Sequence, residues 1–310
     1  MRTAGLLSIY FLGVLLGGAL LAPPLYQLAQ WLGGEGGPFA GLATQPFHRY
    51  LNRCLLILAL AGLWPLVRAC GLGGSAALGF GGGAERWRRL GFGLAAGFGS
   101  LCLVALALVA MGVRGWNAAP TAAGLLTLAG KAMLTAVVVA VMEEFLFRGV
   151  IFGALRQSAS LLAAIVTSAM VYSALHFLAR VEHPGAVQWH SGLALLPRML
   201  AGMLAPGSLW PGGVTLAVGG AALALAYHRT GSLWFSIGLH AGWVFWLKVF
   251  KSLTVPGTQP GGALWGSEKL MDGWFASGVM VVLLVGVARW PWPAPEPITS
   301  DEHAKRQPPA

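Results

Sequence analysis

Two adjacent carboxylates, Glu143 and Glu144, stand inside the apolar run Val141-Met142-Glu143-Glu144-Phe145-Leu146-Phe147-Arg148. The chain holds ten acidic residues, and the other eight fall in stretches that read as loops or tails. A carboxylate near a bilayer centre costs roughly 2.5–3.5 kcal/mol on insertion scales, so function is the default reading of this pair. On a helix Glu144 and Arg148 share a face and suit an ion pair, while Glu143 is turned about 100° away. That spacing divides the labour: Glu144 is neutralised by Arg148, and Glu143 is left to point into the bundle.

Two imidazoles lie in later apolar segments: His176 in Tyr172-Ser173-Ala174-Leu175-His176, and His240 in Gly238-Leu239-His240-Ala241-Gly242-Trp243-Val244. A lone buried histidine is more often a satisfied structural group than a catalyst. Two on separate segments, with an unpaired carboxylate on a third, are another matter, because each needs a buried partner and the cheapest partners are one another. A carboxylate and an imidazole facing one cavity can hold a water and take its proton. A second imidazole presented as a donor can stabilise the oxyanion formed when that water attacks a carbonyl. The same set, Glu143 with His176 and His240, would equally serve as three zinc ligands with an open fourth position. Composition does not choose between these chemistries.

Other nucleophile and metal signatures are missing: the sequence has no Gly-x-Ser-x-Gly and no His-Glu-x-x-His. Cys54, Cys70 and Cys102 are scattered and read as packing residues. His183, His190 and His228 fall at segment ends or in loops, where a solvated role is the plainer reading. Lys131 and Lys248, near segment ends, can snorkel.

The elements that must position these groups are membrane spans. With 56% hydrophobic and 10% charged residues over 310 positions, and a mean hydropathy of +0.71, the composition is far from the roughly 25% charge of a soluble domain. An all-α, polytopic transmembrane bundle of about eight spans follows. Segments near the ~20 residues that cross the hydrocarbon fall at 5–24, 52–70, 90–112, 131–154, 159–179, 212–229, 232–250 and 273–290. Pro23-Pro24 is expected to close the first, which reads as a span rather than a cleaved signal peptide. Gly-rich stretches at 33–41 and 71–84 read as loops, and Leu193 to Leu204 as a short interfacial helix. Trp189, Trp210, Trp265 and Trp274 suit the headgroup belt. The chain thus divides into N-terminal helices over 1–130, a core bearing the polar groups over 131–250, a loop and last span over 251–290, and a Pro-rich tail over 291–310, expected to be disordered.

The formal charge of +10 does not imply nucleic acid, because the basic residues are scattered between apolar runs as in membrane loops. The partner expected from composition is membrane lipid. Eight spans put both termini on one side. With that side cytoplasmic it receives 11 of the 20 Lys and Arg, including the concentrated cluster Arg86, Arg88 and Arg89, so both termini are assigned to the cytoplasm.

At the polar residues the sequence resembles the CAAX-protease and bacteriocin-processing family, intramembrane endopeptidases related to the type II CAAX prenyl protease. That family shows Glu-Glu-x-x-x-Arg, then Phe-x-x-x-His about thirty residues later, then His-x-x-x-Asn on a later helix. Here the first motif is intact over Glu143 to Arg148, the second is Tyr172-x-x-x-His176, and the third is His240-x-x-x-Val244, with Val where Asn is usual. The resemblance covers about 130–250. It implies a glutamate-dependent peptidase acting on a membrane-associated peptide or protein, in which Glu143 and His176 activate water and His240 stabilises the oxyanion, with no cofactor required and zinc as the alternative.

Tyr172 keeps the aromatic wall, but Val244 removes a donor, and losing one such donor costs roughly 10²–10³ in rate. The Trp243 indole N–H and the Tyr172 hydroxyl are the candidate substitutes. Glu144 and Arg148 complete the supporting set. The Ala- and Gly-rich composition looks bacterial, which points to the inner membrane and to a substrate that is not prenylated. Two other classes compete. The missing Asn suits a non-catalytic immunity or assembly factor on the same fold; transport is disfavoured because the sequence has no repeated halves. One geometric tension is visible: counted from the shared ends of the drawn spans, Glu143 and His176 differ in depth by roughly 9 Å.

Overall fold

A computed structural model describes residues 2–33, 39–74, 78–81, 83–118, 121–205 and 209–292. The expected tail from 293 onward lies outside the described residues, as do parts of both Gly-rich loops. Each of the eight expected spans is a helix, and the protein is an all-α, polytopic membrane bundle. We label them α1 (Arg2–Leu32), α2 (Phe47–Ala69), α3 (Glu85–Ala110), α4 (Ala122–Glu144, prolonged to Arg156), α5 (Leu161–His176), α6 (Ser191–Ala201), α7 (Val214–Thr230), α8 (Trp234–Leu253) and α9 (Trp274–Arg289). The ninth, α6, is the short helix expected from Leu193, and it continues as a 3-10 turn to Leu204.

By length and composition, five helical stretches are able to cross a bilayer: Thr3–Leu32, Phe47–Ala69, Glu85–Ala110, Ala122–Arg156 and Trp210–Thr230. Helices α5 and α9 are apolar but have 16 residues each. Helix α8 is different in kind. Residues Phe235 to Val244 are buried without interruption, so protein surrounds this stretch on all sides.

Small residues bring α8 to the centre. Gly93 and Gly97 on α3 face Gly238 and Gly242 on α8, two small-xxx-small pairs that let the backbones touch. A Cβ at Gly97 would stand 2.0 Å from the Leu239 carbonyl oxygen, and one at Gly242 would stand 2.4 Å from the Phe98 amide nitrogen. The contact is sealed by Trp246, whose indole N–H donates to the Phe98 carbonyl at 2.9 Å.

The first helix departs from expectation. Pro23 and Pro24 lie inside α1 rather than ending it. Pro23 cannot donate to the carbonyl four residues back, which belongs to Ala19. Gly192 of α6 packs onto that freed oxygen so closely that a Cβ there would come within 2.0 Å. A neighbouring backbone thus covers the gap that the proline ring opens. A second departure is a small antiparallel ribbon, β1 (Arg114–Trp116) with β2 (Thr254–Pro256). It ties the end of α3 to the end of α8, and the buried Arg114 guanidinium donates to the Thr254 carbonyl at 3.1 Å.

Candidate functional site

The site is built on the end of the α-helical part of α4. Thr121 caps this helix, accepting from the Gly124 amide at 3.1 Å. From Phe145 to Phe152 the turns widen into a π-helix that carries Arg148. Wide turns of this kind gather at functional sites. The spans drawn from sequence missed them because hydropathy does not report turn width.

Glu144 is wholly buried, and it has two partners rather than the single one expected. Its Oε1 accepts from Arg148 Nη1 at 2.9 Å and lies 2.8 Å from His240 Nδ1. Arg148 in turn donates from Nη2 to the Gly220 carbonyl of α7 at 3.3 Å, and its guanidinium stacks 4.5 Å from the Tyr172 ring. Gly220 makes room for this: a Cβ there would press on Tyr172 at 3.1 Å. One carboxylate therefore joins α4, α7 and α8 and fixes the orientation of His240.

Glu143 points elsewhere, as the helical phase predicts. Its Oε2 lies 3.7 Å from His176 Nε2 and 3.7 Å from His240 Nε2. This oxygen is buried and makes no hydrogen bond among the described residues. The Glu143 side chain as a whole is 29% exposed and that of His176 31%, whereas His240 is 4%. One edge of the group therefore opens outward. A separation of 3.7 Å exceeds a hydrogen bond and suits bridging by a small polar atom.

The second nitrogen of each ring is committed. His176 Nδ1 is 2.8 Å from the Tyr172 carbonyl. A carbonyl only accepts, so the proton is on Nδ1, and the lone pair of the neutral ring is at Nε2. His240 Nδ1 faces Glu144 in the same manner. The Tyr172 ring packs against His176, with centroids 4.4 Å apart, and against Phe147.

The expected depth difference shrinks with the true helix ends. Helix α5 begins at Leu161 and closes at His176, 15 residues on, while Glu143 stands 13 residues before Arg156, the end of its own helix. Two residues are about 3 Å at 1.5 Å per residue.

One expected substitute for the missing donor is spent elsewhere. The Trp243 indole N–H donates to Ser100 Oγ of α3 at 2.9 Å, so Trp243 braces α8 against α3. Val244 is buried in an apolar cluster with Ala136 and Ala140 of α4, so no amide follows His240 on that face. Ser100, Gly220 and the Tyr172 carbonyl are contributors that sequence reasoning missed. A Gly219-Gly220 pair in an apolar run was a readable hint; nothing marked Ser100.

The donor types of Glu143, His176 and His240 are those of zinc chemistry. Among the described residues, however, no three His, Cys, Asp or Glu side chains are grouped to share one ion.

Fold and site together define a polytopic helical membrane protein with a buried Glu–Glu–Arg and two-histidine cluster contributed by three helices. Residues 124–246, less than half the chain, match the family model described as type II CAAX prenyl endopeptidase Rce1-like. The match begins in α4 and ends in α8, enclosing all three motifs read from the sequence. No curated protein and no solved structure matches the chain.

Proposed function

We propose that the protein is an intramembrane endopeptidase that hydrolyses a peptide bond in a membrane-associated protein or peptide. The observation that carries this reading is the meeting of Glu143 Oε2 with the Nε2 atoms of His176 and His240, both at 3.7 Å. A water held by Glu143 and the His176 lone pair loses a proton to the carboxylate as its oxygen attacks the scissile carbonyl carbon. The proton then passes to the departing amine as the C–N bond breaks. His240 donates from Nε2 to the oxyanion. With Nδ1–H kept on Glu144, that role requires the imidazolium form. Glu144 and Arg148 hold the ring in place, and Tyr172 walls the site.

These steps use the chain's own residues; in the alternative, Glu143, His176 and His240 would be the ligands of a zinc ion, which would supply Lewis-acid polarisation of the carbonyl. The bacterial inner membrane, both termini cytoplasmic and a non-prenylated substrate complete the reading. Reconstitution into liposomes with membrane-anchored model peptides, in heavy-oxygen water, tests it. Two fragments with label in the new carboxylate are expected. Intact peptide throughout would favour a non-catalytic protein on the same fold, the reading that Val244 supports.

A further inference from the structure

Away from the site, a cavity of about 460 Å³ opens between α3, α8 and α9 at the end where α3 and α8 begin and α9 finishes. Its walls are apolar: Phe92 and Ala96 from α3, Phe235 from α8, and Leu283 and Val287 from α9, with Trp292 at one side. Its mouth is not. Glu85, Arg88 and Arg89 stand there, and Arg86 is one residue away. Arg289 ends α9, and Arg229, at the end of α7, donates to the Ala288 carbonyl at 2.9 Å. Among the described residues that line the cavity, Arg88 and Arg89 thus face one carboxylate, Glu85, which is already engaged by Arg88 Nε at 2.9 Å. Arg89 spends Nη1 on the Thr230 carbonyl, while its buried Nε makes no hydrogen bond among the described residues and lies 3.6 Å from Glu85 Oε1. The exposed Trp290 lines the opening, and the Arg86 guanidinium lies 5.2 Å from the exposed Trp87 ring; both indoles suit a headgroup belt.

We propose that this cavity is a binding site for an anionic glycerophospholipid, its acyl chain in the groove and its phosphate among Arg86, Arg88 and Arg89. The volume falls within the 300–1,000 Å³ typical of ligand pockets. Charge selects the headgroup: basic pockets between spans take anionic lipids. Apolar depth selects a chain-bearing molecule over a free anion. The two features lie in the order a phospholipid presents them, charge at the rim and hydrocarbon about two helical turns below, from Arg88 to Ala96.

The test is native mass spectrometry of the delipidated full chain. It is titrated with phosphatidylglycerol, with phosphatidylcholine of the same chains, and with glycerol 3-phosphate as the headgroup alone. Phosphatidylglycerol is expected to bind at least about tenfold tighter than phosphatidylcholine, and glycerol 3-phosphate not to compete. The pair Arg86→Gln and Arg88→Gln, both at exposed positions, should weaken phosphatidylglycerol roughly tenfold, towards the phosphatidylcholine value. Ala96→Trp should displace both lipids. Equal affinity for the two lipids in the unmodified chain, or a double variant that binds as before, would mean annular lipid only and overturn the proposal. Effective competition by glycerol 3-phosphate would overturn it as well. If Ala96→Trp does not fold, the arginine pair decides alone.

Discussion

At the scale of single residues, the division of labour between the two glutamates is the main result. Glu144 is enclosed and doubly paired, so removing Arg148 leaves a buried carboxylate with His240 alone. Arg148→Met is expected to lose roughly 3–5 kcal/mol of stability, read as a large fall in thermal unfolding temperature in detergent. Glu143 has no such structural duty, and its substitution should leave that temperature nearly unchanged. Val244 offers a gain-of-function test. An amide at that position, in Val244→Asn, would return a donor one turn after His240 and should raise turnover at least about tenfold, given that one such donor is commonly worth 10²–10³. Equal rates would show that the oxyanion is held from elsewhere. For the metal question, prolonged chelation should leave turnover unchanged and elemental analysis should find well under one zinc per chain. Activity that is lost and then restored by zinc would move Glu143, His176 and His240 to the role of ligands.

At the scale of elements, the geometry of the proposed site depends on how tightly α8 lies on α3. His240 is delivered from the face opposite Gly238 and Gly242, so any side chain forced between these helices moves the ring. Gly97→Leu is expected to lower the unfolding temperature strongly and to reduce turnover together with it, because a Cβ there meets the Leu239 backbone at 2.0 Å. The same substitution at Gly99, whose Cβ position is open, should do neither. These elements also show what could be read in advance. The spans were visible because lipid demands long apolar runs, and the Glu144–Arg148 pair was visible because four residues make about one turn. The π-turns, the Trp243–Ser100 bond and the second partner of Glu144 were not. The two bonds join groups 96 and 143 positions apart in the chain, and turn width leaves no mark on hydropathy. Pro23-Pro24 misled for a related reason: the rule that proline ends a helix assumes that the freed carbonyl lacks cover, and Gly192 supplies it.

At the scale of the whole molecule, the bundle separates two chemistries. The two-histidine site sits where α4, α5 and α8 meet, and the arginine-rich cavity marks the end where α3 begins. The assignment of both termini to the cytoplasm puts that basic end inside. Single cysteines introduced at Arg86 and at Lys269 in a cysteine-free background should then be labelled by an impermeant maleimide from opposite sides, with the position at Arg86 protected in intact cells. Labelling of that position from outside would invert the orientation. The central claim, that Glu143 takes the proton of the attacking water, is tested most directly by the single-turnover cleavage rate of a membrane-anchored peptide by Glu143→Gln relative to the unmodified protein. The two are compared at matched folded protein. A fall of roughly 10²–10⁴ with unchanged thermal stability is predicted. Turnover undiminished by the loss of that carboxylate would contradict the mechanism.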